Sequence, residues 1–544
     1  MSYVSELSQR FEAATGVDPE LRPATKPQFG HFQTSVALRL AKSEGKPPRE
    51  VAQRIIDSVD VADLCEPLEL AGPGFINIRL TEKAIADGVT SVLADPRHGV
   101  APAVEPQRVV IDYSSPNVAK TMHVGHLRST IIGDAFNRIL TALGHTVIPQ
   151  NHIGDWGTQF GMLVEQILTE DIDAGALTLE QADELYKRAA AHYRSDEEFA
   201  VLARKRVVAL QAGDEQTITI WQQLMAVSKT GFNEAYERLG VKLVDADLAG
   251  ESTYNDDLPV VVGELEASGA AVIDDGALCI FNEGFNAPLI IRKSDGGYGY
   301  ATTDLAAIRR RVGPLEANRI IYVTDVRQAG HFAQVFAAAR KAGYLPESVQ
   351  AEHVGYGMVL GPDGRPFKTR DGVAVTLTSL LDAAEEHVAR PIALAAIKYA
   401  DLSNGLNKDY VFDLDRMVAT TGDTGPYLQY AHARICQVLR KAEAEEIQVG
   451  DKVLELPEAA EQTLALLITR FGEVVGEVAD TLQPHRLCSY LYELAGAVAR
   501  FYDACPVIKS EGLVRESRLA LITAAKDVLA EGLDMLGIEA PDRM

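Results

Sequence analysis

Residues 108 to 151 constrain the fold of this chain more than any other stretch. RVVIDYS is a short apolar run that reads as a buried strand, a helical pattern follows from about Gly125 to Leu143, and HTVIPQN resumes as a second strand. Gly144 stands where a left-handed helix C-cap is expected. Strand, helix and strand at this spacing make a βαβ unit, which implies a parallel sheet with ligands at the carboxyl ends of its strands. The turn at that end, SSPNVAKTMHVGHLRST, sets His123 and His126 three apart across Gly125 at the start of the helix.

A helix N-terminus supplies unpaired N–H groups and partial positive charge. Gly125 lets a flat ligand approach the backbone, and imidazoles donate to phosphate oxygens, so the loop suits a nucleoside triphosphate. A histidine pair at a helix start is by itself more often a cap or a packed core pair, and its place after a buried strand is what favours the ligand. Neither GxGxxG nor GxxxxGK followed by Ser or Thr occurs, which argues against a dinucleotide oxidoreductase and a P-loop ATPase.

The remaining chain divides by pattern. Residues 1–105 mix a helical stretch (PPREVAQRIIDSV) with a strand (GFINIRL) and end in a linker rich in Pro and Ala, predicting a separate α+β domain. Residues 106–165 and 291–412 carry α/β alternation and read as two halves of a Rossmann-like catalytic domain. The Ala- and charge-rich helices of 166–290, followed by shorter alternating segments such as AAVIDDGALCIF, form an inserted, mainly helical region, and 413–544 is almost wholly helix-periodic, an all-α bundle.

A chain of 544 residues with 47% hydrophobic and 24% charged residues folds and is not disordered. Its net charge of −25 argues against a non-specific DNA binder or a membrane-surface protein. Five scattered cysteines without a CxxC pair suggest neither a disulfide framework nor a zinc ribbon, and no metal site is expected. No signal-peptide pattern opens the chain and no run reaches roughly 18 apolar residues, so a cytoplasmic protein is expected.

With these residues in view, SSPNVAKTMHVGHLRSTIIGD resembles the HIGH-motif region of class I aminoacyl-tRNA synthetases, and specifically that of the arginyl-tRNA synthetases. The resemblance extends through NHIGDWGTQFG, YATTDLAAI, HFAQVF and TGPYLQYAHAR, and so over the whole chain. It implies an ATP-dependent ligase that makes arginyl-adenylate with Mg²⁺-bound ATP and esterifies the terminal adenosine of tRNA(Arg). Its expected partners are L-arginine, ATP and that tRNA, with no DNA and no membrane, and the chain is expected to act as a monomer.

A guanidinium needs planar, bidentate acceptors, which carboxylates supply best. Asp112, at the end of the first strand, and Asp304 are the acceptors expected here. Tyr300 and Asp304 are four apart and share a helix face, matching the family's Y-x-x-x-D pair. The resemblance adds Asn117 for the amino-acid backbone groups and Gln334, in HFAQVF, as a pocket amide. Read alone, Gln334 is an exposed helix position, and Asp304 could simply pair with Arg309.

The family's second signature, a lysine-rich KMSKS loop, is degenerate in this chain. GMVLGPDGRPFKTRDG retains Lys368 but lacks the other consensus lysine and the serine. In family members with such a loop a lysine before the HIGH motif is thought to compensate, and Lys120 stands three residues before His123. Lys120, His123, Gly125, His126 and Lys368 are therefore the expected ATP-binding and catalytic set, with Arg370 an equally plausible solvated charge.

For an acidic protein to hold RNA, basic charge must be local. ARKR around Lys205, the triplet Arg309, Arg310 and Arg311, and the helix carrying Arg434, Arg440 and Lys441 are the expected patches. Tyr427, Tyr430 and Arg434 fall at i, i+3 and i+7, a face on which unstacked anticodon bases could stack, although such a stripe is more often core. The resemblance adds Met544 near the anticodon and a tRNA-elbow role for residues 1–105, while the insertion is expected to support the acceptor end. Two rival readings are a small-molecule nucleotidyltransferase sharing HxGH, which is usually shorter and lacks the terminal bundle, and a non-catalytic tRNA- or protein-binding paralogue, against which the intact His123, His126, Asp304 and Lys368 argue.

Overall fold

The computed structural model describes residues 3–24, 26–367 and 375–544. At its centre is a four-stranded parallel sheet built from β1 (Arg108–Asp112), β2 (Thr146–Gln150), β3 (Arg319–Asp325) and β4 (Gln350–Tyr356), in the spatial order β4-β3-β1-β2. Helix α1 (Val124–Ala142) links β1 to β2, α2 (Tyr300–Val312) precedes β3, and α3 (Ala329–Lys341) links β3 to β4. The chain steps from β1 to β2 in one direction and later places β3 on the other side of β1. That reversal opens a crevice at the carboxyl ends of β1 and β3, the ligand position of open α/β sheets.

The local causes are visible in the sequence. Val109, Val110 and Ile111 are fully buried between the helical layers, as a two-sided parallel strand requires. Gly144 takes a left-handed φ of 84° and ends α1. Gly133 lets α1 lie hard against the end of β1, since a Cβ there would come within 2.2 Å of the Tyr113 ring.

Residues 3–94 form an antiparallel sheet, Arg22–Pro23, Phe32–Thr34, Phe75–Ile78 and Glu69–Ala71 in spatial order, covered by helices with Leu7, Phe11 and Ile55 in the core. Between β2 and α2 the insertion contributes helices Thr158–Glu170, Leu179–Ser195, Glu197–Gln211, Glu215–Leu239 and Asp257–Ala267. It is not wholly helical, because Val272–Asp274, Ala277–Ile280 and Leu289–Arg292 make a three-stranded antiparallel sheet.

The helical array comprises α4 (Arg390–Leu402), α5 (Gly425–Ala444), α6 (Ala459–Thr469), α7 (Phe471–Thr481), α8 (His485–Ala504) and α9 (Gly512–Met535). It starts upstream of position 413, because α4 packs on both α5 and α1. A buried ion pair ties the two layers together. Arg128 on α1 donates Nε to Asp401 on α4 at 2.6 Å, and its Nη1 donates to the Gly357 carbonyl beyond β4 at 2.8 Å. The N-terminal layer is fastened to the same array, with Leu456 N donating to Glu82 at 2.7 Å. Among the described residues no helix is long and apolar enough to cross a membrane, and all five cysteines are buried and free of disulfides.

Candidate active site

The loop after β1 is held in a conformation that side chains disfavour. Ser114, Ser115 and Ala119 have φ of 72°, 49° and 57°, three non-glycine residues in the left-handed region within six positions. Buried hydrogen bonds hold it there. Ser114 N donates to Ser129 Oγ at 2.9 Å, whose own hydroxyl donates to the Val323 carbonyl of β3 at 2.7 Å. Tyr236 and Ser228, on the insertion's longest helix, reach Ser114 Oγ and Ala119 N at 2.8 and 2.9 Å. The insertion therefore braces the loop in addition to any contact it makes outside the chain.

The two histidines cap α1 reciprocally. His123 Nδ1 accepts from Gly125 N at 3.0 Å, and His126 Nδ1 accepts from His123 N at 3.1 Å. A ring nitrogen that accepts carries no hydrogen, so each neutral imidazole holds its proton on Nε2. Burial lowers the His123 pKa and takes His126 down to about 3, with Lys120 adding repulsion in both cases, so both rings are neutral near pH 7. The rings lie 4.0 Å apart, tilted by 38°. Gly125 matters for a reason the sequence did not disclose: a Cβ there would meet the His123 ring at 2.8 Å.

His123, Gly125, His126 and Asn117 line one wall of a cavity of about 440 Å³, faced by Asp325 at the end of β3, Tyr356 at the end of β4 and Met358 just beyond it. Asn117 bridges to Gly154 of NHIGDWG, which backs the wall. Lys120 Nζ lies 4.0 Å over the Tyr186 ring of the insertion, near the histidines. Lys368 and Arg370 lie outside the described residues, but the chain on both sides is placed. Phe367 stacks on Phe412 and lines the cavity, and Val375 accepts from Val124 N at 3.0 Å, beside the first histidine.

The expected arginine pocket is partly rearranged. Asp112 is already committed to a guanidinium of this chain: Arg311, fully buried, donates to its Oδ2 at 2.6 Å, and Ser115 Oγ donates to its Oδ1 at 3.1 Å. With both oxygens occupied, Asp112 ties α2 to β1. Asp304, one turn into α2, does not pair with Arg309, which binds Glu264 instead; it accepts from His331 Nε2 at 2.6 Å. Tyr300 is 82% exposed at the start of the same helix. Gln334 does not project its amide to Asp304, because its Nε2 donates to the Ala287 carbonyl at 2.7 Å and anchors a loop of the insertion. His331, one turn earlier on α3, takes the position facing Asp304.

A further acidic group stands here that the sequence did not single out. Glu251 has its carboxyl pushed up to about 7 by burial, with the negative charges of Asp155 and Asp304 adding. Its backbone N donates to the Ile153 carbonyl of NHIGDWG, so it adjoins the wall that carries Asn117. Glu251 comes from the insertion, about a hundred residues from NHIGDWG, and no local motif marks it; His331 was within the quoted HFAQVF.

Three family models cover nearly the whole chain: an arginyl-tRNA synthetase N-terminal domain over residues 3–80, a class I (R) tRNA synthetase catalytic domain over 88–390, and a DALR anticodon-binding domain over 428–544. The chain belongs to the arginyl-tRNA synthetase family. It is 62% identical to an arginine–tRNA ligase of Cutibacterium acnes, with all of both chains covered, and 48% identical to one of Thermobifida fusca, with 99% of each covered. Solved arginyl-tRNA synthetases of Plasmodium falciparum and Thermus thermophilus superpose with TM-scores of 0.85 and 0.82. They are 28% and 26% identical, with 99% and 100% of both chains covered.

In this member of the family the tyrosine stripe of α5 is split between core and surface. Tyr427 is half-buried, 5.6 Å from the Tyr492 ring, while Tyr430 is 46% exposed and Arg434 lies 5.0 Å over Tyr502 at the surface. Met544 is exposed, and residues 539–542 are pinned to α5 by Gln429, His432 and Arg440. The triplet Arg309, Arg310 and Arg311 is not a basic patch. Arg311 is buried on Asp112, Arg309 pairs with Glu264, and Arg310 donates to the Thr253 carbonyl beside Asp257. Around Lys205, Arg204 and Arg206 are likewise paired, with Glu197 and Glu165.

Proposed function

We propose that the chain is an ATP-dependent arginine–tRNA ligase of the cytoplasm, acting as a monomer. The observation that carries this reading is the reciprocal cap, which fixes two Nε2–H donors at a helix N-terminus beside a cavity that Asn117 and Asp325 also line. In the first step an arginine carboxylate oxygen attacks the α-phosphorus of ATP and pyrophosphate leaves. In the second, a hydroxyl of the tRNA's terminal adenosine attacks the carbonyl carbon and AMP leaves. His123 and His126 donate to phosphate oxygens as charge builds, and Asn117 orients the amino acid's α-groups.

Mg²⁺ enters with ATP as part of the substrate. Asp325 lines the cavity, but Arg327 donates to both its oxygens, so the ion is held by phosphate and water and not by a protein cage. The α5 face with Tyr430 and Arg434, and Tyr427 behind it, would receive anticodon bases, with Met544 nearby. The first test is arginine-dependent exchange of pyrophosphate into ATP, with and without cognate tRNA and with lysine and glutamine as controls. Exchange with arginine alone among the three supports the ligase, and a need for tRNA would place tRNA binding before activation. No exchange with any of them, despite retained tRNA binding, overturns the ligase in favour of a non-catalytic paralogue.

Lys120, free to leave the Tyr186 ring, supplies the positive charge that the degenerate signature loop lacks, together with Lys368 by its place in the sequence. Lys120→Ala is expected to slow adenylate formation about 100-fold, the scale of one lost transition-state donor. An unchanged single-turnover rate removes Lys120 from the mechanism.

The guanidinium is assigned to Asp304 and Glu251, and this gives a pH signature. Asp304 raises the His331 pKa above its ordinary 6.5, so the ring is cationic below that value and competes with arginine for the carboxylate. The pair dissolves as pH rises through the raised value. Glu251 has its own ionisation pushed up to about 7. Both changes favour a cationic ligand at higher pH, while the arginine side chain stays charged throughout. The KM for arginine is expected to fall about tenfold between about pH 6 and 8, a change of one protonation equilibrium. The double variant E251Q/H331Q should flatten the profile; an unaltered slope in that variant rejects the assignment.

A further inference from the structure

We infer that His432, Cys436 and Asp542 form a binding site for a zinc-like divalent metal ion that fastens residues 539–542 to α5. His432 and Cys436 are one helical turn apart on α5, 3% and 6% exposed, and face the returning C-terminal segment. Cys436 Sγ lies 3.8 Å from each ring nitrogen of His432 and 3.4 Å from Asp542 Oδ1, and the three residues offer ligand atoms within 4.8 Å of one another. Metal–ligand lengths of about 2.0–2.3 Å place the ligands of a tetrahedral zinc ion about 3.5 Å apart, close to these separations.

The histidine is prepared for this role. Its Nδ1 lies 3.0 Å from the Pro541 carbonyl, which can only accept. Nδ1 therefore carries the hydrogen and Nε2 presents its lone pair, the orientation that a backbone carbonyl gives to metal-ligating histidines. Thiolate and carboxylate together neutralise a divalent ion. Of the nearby cations, Arg440 is engaged with the Asp542 carbonyl and Lys526 with Asp527. A solvent-open cavity of about 550 Å³ reaches Cys436 and Asp542 and leaves room for water as the fourth ligand. An imidazole and a thiolate with one oxygen ligand favour zinc over magnesium or calcium.

The test uses the full-length chain after treatment with chelator, titrated with Co²⁺ alone and then Zn²⁺ alone. The expected result is one Co²⁺ per chain, with a thiolate-to-cobalt charge-transfer band and tetrahedral visible bands that Zn²⁺ abolishes. Hydrogen exchange in residues 539–542 should slow when Zn²⁺ binds. Cys436→Ser should remove the charge-transfer band and weaken Zn²⁺ binding by more than about 100-fold, beyond the loss usual for a supporting residue. Cys279→Ala, in the insertion's sheet, should change nothing. Because Cys436 is buried, the exposed Asp542→Asn is a second variant, expected to weaken Zn²⁺ at least tenfold with an unaltered circular dichroism spectrum. Absence of the charge-transfer band in the parent chain, or wild-type Zn²⁺ affinity in Asp542→Asn, overturns the site.

Discussion

Asp401→Ala destabilises the protein by about 3–5 kcal/mol, because it leaves the Arg128 guanidinium buried without its counter-charge. Both side chains are essentially inaccessible, and the rings of Tyr410 and Tyr356 lie 5.2 and 5.7 Å from the guanidinium, so no water path replaces the lost acceptor. The damage reaches the active site by a short route. Arg128 is in the first turns of α1, two residues after His126, and its Nη1 donates to the Gly357 and Lys408 carbonyls. One guanidinium thus joins the histidine helix, the segment after β4 and the helical array. Urea denaturation should show a lower midpoint, accompanied by slower pyrophosphate exchange. R128M/D401L is expected to recover much of the stability, because an apolar pair of similar volume carries no desolvation cost. A single Asp401→Ala variant as stable as the parent would falsify the view that this pair locks the two layers.

Asp304→Asn is expected to lower kcat/KM for arginine by about 10²–10⁴-fold, the cost of truncating one partner of a buried, hydrogen-bonded charge pair. The carboxylate is largely shielded and is held by His331 at 2.6 Å, which fixes its rotamer before any ligand arrives. An amide in its place keeps the shape but supplies one acceptor and no charge. The loss should fall on arginine and much less on any exchange supported by citrulline, whose neutral side chain gains nothing from the charge. Measuring exchange with both amino acids separates recognition from folding: an equal loss on both indicates a structural role, and a change under tenfold on arginine removes Asp304 from the pocket.

Other elements differ in how far sequence alone determines them. The alternation of strand, helix and strand around residues 108–151, the glycine that ends α1 and the helix periodicity of the last 130 or so residues are local properties of side-chain spacing and φ preference, and they recur in the fold with little shift. His123 and His126 were legible for the same reason, since a helix start and its capping residues are neighbours in sequence. Asp112 and Asp304 look alike in sequence, each an acid at an element placed near the crevice. Only packing separates them: α2 against β1 delivers Arg311 to Asp112, and α3 against α2 delivers His331 to Asp304. Gln334 and His331 stand on one helix a turn apart, and the orientation of α3 decides which of them reaches Asp304. Glu251 and the Arg128–Asp401 pair join residues far apart in the chain, and their chemistry depends on burial that no local window contains. What the sequence by itself determined was the elements and the capped histidine loop, because those follow from short-range sterics and hydrogen bonding. Which carboxylate meets a buried guanidinium and which an imidazole was decided by the tertiary structure alone, because desolvation and charge pairing depend on what packs around a group in space.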